Sequence, residues 1–225
     1  MEKKVNRREF LKTSVAIPTI LAAGGMLSTR KAYAKELVPI KLLKPESANA
    51  GELLKILEKR SSAREFAPTP LPVRVLSNLL WAAFGVNRPN GMRTAPSSSN
   101  KQEIDIYVAT PDGLYLYDPR EQALQPISGD DLRTLTGVQA YVATAAVDLV
   151  YVADMTKRTD KTMEGKMLSA YADTGLIAEN VYLYCAAEGL ATVVRSGIDR
   201  PPLAKAMKLR SDQTITLMQC VGYPK

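Results

Sequence analysis

The chain has 225 residues, 24% charged and 46% hydrophobic, with 30 Lys and Arg against 23 Asp and Glu, two cysteines and no histidine. That balance belongs to an ordinary folded protein, not to a disordered tail or a membrane bundle. The missing imidazole excludes Ser-His-Asp and Cys-His nucleophile pairs, a histidine base and any histidine-bound metal. Two thiols cannot build a four-thiolate zinc or iron–sulfur centre within one chain, so chemistry here either dispenses with these devices or is borrowed from a cofactor.

Residues 1–34 read as an export signal. Asn6-Arg7-Arg8-Glu9-Phe10-Leu11-Lys12 resembles the twin-arginine consensus, with Asn where Ser or Thr is more usual. A mildly apolar stretch follows over residues 13–27, broken by Pro18 and Gly24-Gly25, and Ala32-Tyr33-Ala34 offers small residues to signal peptidase. At about 15 residues the stretch is short of the ~20 that span a bilayer, so no stable membrane span is expected. The mature protein is predicted to start near Lys35 and to be periplasmic or otherwise exported. These 34 residues hold seven Lys and Arg against two Glu, so they carry five of the net +7 and leave +2 for residues 35–225. So small an excess gives no nucleic-acid footprint. Twin-arginine export moves folded proteins, commonly because a cofactor is inserted first; with histidine absent, a tightly held organic cofactor is the natural candidate.

Residues 35–50 form an extended N-terminal segment with Pro39 and Pro45, and residues 51–225 are expected to make one domain. Residues 51–59 pattern as a short amphipathic helix, with Leu53, Leu54 and Leu57 on one face. Pro68, Pro70 and Pro72 mark a loop, and residues 73–86 carry helical spacing through Val75, Leu76, Leu79, Leu80, Ala83 and Phe84. A long polar loop, residues 87–102, comes next; loops of that length in compact domains commonly carry function. Residues 103–110 and 113–117 alternate with period two across Pro111-Asp112, a hairpin pattern. A short helix over 130–136 and an Ala-rich passage precede a buried strand at 147–153, then a charged connection at 156–166. A long helix at 167–189 ends on Gly189 as cap, followed by a strand at 190–194, a helix at 201–207 and a last buried strand at 213–221. Mixed hairpin and crossover patterns make this α+β rather than doubly wound α/β.

No G-x-G-x-x-G follows a strand and no G-x-x-x-x-G-K-[ST] occurs, which excludes recognisable dinucleotide and P-loop sites. Three segments carry chemistry instead. Arg60-Ser61-Ser62-Ala63-Arg64 offers two guanidinium forks and two hydroxyls, a match for phosphate oxygens or a polyol chain. Pro96-Ser97-Ser98-Ser99-Asn100-Lys101-Gln102 offers small hydroxyls and an amide able to approach a flat ring and bond its edge. Gly189-Leu190-Ala191-Thr192-Val193-Val194-Arg195-Ser196-Gly197 reads as cap, strand and tight turn. Each alone also reads as ordinary surface: a solvated helix end, a loop, a helix–strand–turn passage.

In this order and spacing the three resemble the nitroreductase-like FMN-dependent oxidoreductases, in particular the group containing the peptide azoline dehydrogenases. Arg93-Thr94-Ala95-Pro96-Ser97-Ser98, Gly113-Leu114-Tyr115-Leu116-Tyr117-Asp118-Pro119, Glu179-Asn180 within the long helix and the terminal Val221-Gly222-Tyr223-Pro224 share the likeness. The resemblance implies a central, mostly antiparallel sheet flanked by helices, and an intertwined homodimer with flavin at each interface. It implies that Arg60, Ser61, Ser62 and Arg64 hold the FMN phosphate, ribityl chain and pyrimidine edge. Pro96, Ser97, Ser98 and Asn100 would reach the same flavin from the partner subunit, with Ser196 and Gly197 against the ring. Lys225 is the last residue able to serve the phosphate, where family members carry basic residues further on. Arg64, then Arg195, would stabilise the reduced ring, and no metal is implied.

The aromatic that usually follows Asn-x-Gln is Glu103 here, so a different substrate side is expected. The resemblance implies ping-pong hydride or electron transfer to a small-molecule substrate. NAD(P)H is the usual donor in the family; for an exported member a quinone, a redox protein or an oxidisable substrate is the alternative. A non-catalytic flavin- or partner-binding module and an azoline-type dehydrogenase stay open beside it. Cys185 and Cys220 sit in apolar segments and are expected to be buried and free rather than paired. Tyr107, Tyr115, Tyr117, Tyr151, Tyr182 and Tyr184 are expected to be core.

Overall fold

The computed structural model describes residues 39, 41–45 and 49–225. The twin-arginine motif and its cleavage region lie outside the described residues, as does much of the 35–50 segment. Residues 49–225 build three layers. The middle one is a seven-stranded sheet of β1 (Phe66–Ala67), β2 (Ile104–Thr110), β3 (Gly113–Asp118), β4 (Ala123–Ser128), β5 (Val147–Asp154), β6 (Ala191–Arg195) and β7 (Gln213–Pro224). Its order is β1-β7-β5-β2-β3-β4, with β6 also on β7, and every pairing is antiparallel.

Strand alternation divides two cores, as period two requires. In β5, Leu149, Tyr151 and Ala153 face helices α2 (Val73–Phe84) and α3 (Met163–Glu188), while Val150 and Val152 face α4 (Arg200–Ala206). Helix α1 (Gly51–Lys59) precedes the sheet and has no buried residue. Among the described residues no helix is long and apolar enough to cross a membrane.

The α+β prediction holds; besides the two-residue β1, for which no strand was expected, three elements differ from the sequence reading. Helix α3 starts at Met163, four residues early, because Thr162 caps it: its Oγ1 accepts the Gly165 N–H at 3.0 Å. The expected 130–136 helix is one 3₁₀ turn, Arg133–Leu135, followed by another at Ala140–Ala143. Strand β4 is additional. It carries Pro126 at an edge of the sheet, where a missing N–H costs no ladder bond. Cys185 and Cys220 are buried and unpaired, as expected.

Candidate functional site

Strand β6 has β7 on one side and a free edge on the other, and that edge builds the first half of the site. The chain leaving α1 runs along it: Ala63 N–H donates to Thr192 O at 2.9 Å. The Tyr182 hydroxyl, rising from α3, accepts the Val194 N–H at 2.9 Å and shares a 2.9 Å hydrogen bond with Ser62 Oγ. Outward backbone groups of the edge are thereby satisfied by one tyrosine and one strand-like segment. Arg60 lies 5.3 Å over the Tyr182 ring in a cation–π contact.

Two more predicted residues arrive by register. Phe66 pairs with Pro224, the last residue of β7, so Lys225 leaves the ladder at the end where Arg64 and Glu65 enter it. Ser196 and Gly197 follow β6 directly and are exposed. Arg60, Ser61, Ser62, Arg64, Ser196, Gly197 and Lys225 therefore share the β6 edge and the neighbouring end of β7. Arg133, Arg158, Arg195 and Arg210 are ion-paired, whereas Arg60 and Arg64 form no ion pair among the described residues.

The second half lies elsewhere. Pro96, Ser98 and Asn100 are exposed on a loop with one 3₁₀ turn, Ser98–Asn100, and Ser97 is half-buried there. The Ser98 N–H donates to Asp173 Oδ2 at 2.8 Å. Asp173 and Tyr182 stand nine residues apart on α3, which is about 14 Å along the axis and half a turn around it. One chain thus carries the two halves on opposite sides of α3 and does not bring them together.

Three sites were not legible as such in the sequence. Arg158, in the connection that reads as solvated, is 5% exposed, and pairs with Glu103 at 3.4 Å, Asp160 at 2.7 Å and Asp173 at 3.7 Å. Glu103, expected on a substrate side, is fully buried beneath the loop; burial and the neighbouring Asp173 push its carboxyl up to about 6. Tyr182, read as core, is buried but also anchors the 60–63 segment. The one available clue was Asp173 itself, a lone carboxylate among Ala170, Thr174 and Ile177 on an otherwise apolar face.

Arg195 requires a correction. It was predicted beside the flavin ring, yet its guanidinium turns inward: it donates to Thr136 O at 2.9 Å and to Cys220 Sγ at 3.1 Å, and pairs with Asp148 at 3.5 Å. Asp148 is fully buried, and desolvation pushes its carboxyl up to about 6 despite Thr136 and Arg195. A Cβ on Gly137 would collide with the Arg195 guanidinium, so glycine is what admits the arginine. Elsewhere Glu179 is exposed, and Asn180 Nδ2 donates to Ala83 O at 3.3 Å.

Fold and site together define an α+β protein with a cationic, hydroxyl-rich sheet edge and a separate hydroxyl-rich loop. No cluster of His, Cys, Asp or Glu able to hold a metal occurs among the described residues. Residues 57–223 match the model of the nitroreductase family, and the chain belongs to that family of oxidoreductases. A protein assigned to the nitroreductases in Methanocaldococcus jannaschii is 32% identical over 148 residues, 61% of this chain and 75% of its own length. A crystal structure of a protein likewise assigned, from Ralstonia eutropha, is 43% identical with a TM-score of 0.74, covering 82% of this chain and 88% of that one. The microcin synthetase McbBCD complex of Escherichia coli shares the fold at 21% identity and a TM-score of 0.65, over 96% of this chain and 86% of that one.

Proposed function

We propose that this protein is an FMN-dependent oxidoreductase acting as a homodimer, with a flavin site at each subunit interface. The observation that carries the reading is the division of the site: a cationic half and a hydroxyl half that one chain cannot join across α3. In a dimer the 96–100 loop of one protomer would complete the β6 edge of its partner. The outer face of α3 supports this, since Leu168 and Leu176 are exposed there beside Ala172 and Gly175, an apolar stripe with small residues opposite the core face.

The donor set fits FMN. Arg60 and Arg64 are guanidinium forks without carboxylate partners, Ser61 and Ser62 supply hydroxyls, and Lys225 adds a charge at the same end. Arg60 and Lys225 would hold the phosphate, and the two serines the ribityl chain. Arg64 is the cation for the ring, Arg195 being committed to Asp148. Ser97, Ser98 and Asn100 of the partner would bond the ring edge, with Ser196 and Gly197 against its face. When bound, FMN supplies hydride or electron transfer, in ping-pong fashion between a donor and a small-molecule acceptor. The protein's part is orientation and a positive field, and neither needs a histidine. The signal-like residues 1–34 support export, and an exported enzyme would draw electrons from a quinone, a redox protein or an oxidisable substrate rather than from cytoplasmic NAD(P)H.

The test is Arg60→Ala. A charge-assisted hydrogen bond is worth about 1.5–3 kcal/mol, so FMN affinity is expected to fall at least about tenfold. Unchanged flavin occupancy would refute the phosphate assignment.

A further inference from the structure

The loop over residues 97–102 is held in an unusual shape. Ser99, Asn100 and Gln102 have φ of 53°, 51° and 48°, and none is glycine. Three side-chain-bearing residues in the left-handed region within four positions persist only where the surroundings over-determine them. On its outer side the loop is tied by Gln102, whose Nε2 donates to Gly91 O at 3.0 Å and whose Oε1 accepts from Arg93 Nε at 2.9 Å.

The inner side is tied by buried charge. Asp173 accepts the Ser98 N–H at 2.8 Å, while Arg158 donates to Ser98 O at 3.3 Å and to Ser98 Oγ at 3.4 Å. Asp160 fixes the guanidinium through Nε at 2.9 Å, and Glu103 meets it from the start of β2 at 3.4 Å. Ser98 N–H, C=O and Oγ are thus all engaged from below, and Arg158 takes a lone pair of the hydroxyl. The hydroxyl belongs to an exposed residue and no acceptor for its proton is present among the described residues, so the proton is free to serve an acceptor from outside.

The arrangement is costly. It buries a guanidinium among carboxylates, and Glu103 Oε2 has no hydrogen-bond partner. Well-packed apolar side chains of similar volume would serve stability as well or better. We infer that Arg158 and Asp173 are positioning residues, which set the 97–102 loop in its binding shape and present the Ser98 hydroxyl as a donor to an acceptor atom of the cofactor before it arrives. This rests on the FMN reading of the loop.

The full-length protein, freed of cofactor, is the test object, with hydrogen exchange of the Ser98 amide, FMN titration and visible circular dichroism of bound flavin as readouts. The Ser98 amide of the unsubstituted protein is expected to be protected without FMN. Asp173→Ala is expected to release that protection, to raise the FMN dissociation constant at least about tenfold and to alter the flavin dichroism. Asp173→Asn, which keeps an acceptor oxygen, is expected to stay within about threefold of the parent. Exchange at the unstructured rate in the cofactor-free parent would overturn the inference, and that measurement decides alone should Asp173→Ala not fold. An Asp173→Ala protein that binds FMN like the parent, with the same dichroism, would overturn it while leaving the FMN reading intact. A parent with a protected Ser98 that binds no FMN would overturn both.

Discussion

Tyr182→Phe removes one oxygen and keeps the ring on which Arg60 rests. That oxygen is the acceptor for Val194 N–H and the partner of Ser62 Oγ, both at 2.9 Å. Each of the two net hydrogen bonds is worth about 1 kcal/mol, and leaving a partly buried N–H unsatisfied costs about 1–3 kcal/mol more, so a total near 3–5 kcal/mol is expected. Against a whole-domain stability of about 5–15 kcal/mol that is a large fraction. In urea, with a slope of about 2–3 kcal/mol per molar for a chain of this size, the midpoint should fall by about 1–2.5 M, measured at fixed protein concentration because the stability of the proposed dimer would depend on it. Tyr184→Phe is the internal control. Its hydroxyl reaches Val75 O only at 3.4 Å on the same helix, and its loss should cost under about 1 kcal/mol. FMN affinity should drop in the Tyr182 variant alone, since only that hydroxyl anchors the 60–63 segment. A Tyr182→Phe protein within about 0.5 kcal/mol of the parent would refute the claim that this hydroxyl closes the β6 edge.

Glu103 has a carboxyl near 6 in the folded protein against 4.5 unfolded, so the folded state holds the proton more tightly and stability falls as pH rises through that window. Glu103→Gln should therefore gain up to about 2 kcal/mol over the parent at pH 7.5 and nothing at pH 4, read from urea unfolding; an equal difference at both would contradict the burial cause. Arg195→Met strands Asp148 in the interior and is expected to cost about 3–5 kcal/mol with little change in the FMN affinity of the folded molecule. Intact stability with a loss of flavin reduction would return Arg195 to the ring. The Cys185 thiol is pushed up to about 12 by burial and that of Cys220 is raised too, so neither should react with a thiol reagent until the protein unfolds. Rapid native labelling of either would contradict their placement.

The elements that carry strong periodicity were legible in the sequence. β2 and β3 alternate, α2 recurs at helical spacing, and β5 and β7 are buried strands, while the 60–64 and 96–100 segments, each ordinary surface alone, stand out only as an ordered set with residues 189–197. β4 was not legible because Gln125-Pro126 breaks the strand pattern, and only its edge position makes the proline harmless. The Arg158 cluster was hidden for another reason. Lys157-Arg158-Thr159-Asp160-Lys161 has the composition of solvated surface, and only the fold shows that Glu103 and Asp173 meet the arginine from below. Arg195 misled in the same way. Its position at the end of β6 suits a ring contact, but the strand's period of two turns it toward β5 and Asp148, while Ser196 faces out.

A flavin in the divided site is the central proposal. Purified protein should be yellow, with a flavin absorption spectrum, and the compound released on denaturation should be FMN at about one per protomer. A colourless protein that gains no thermal stability from added FMN would contradict it.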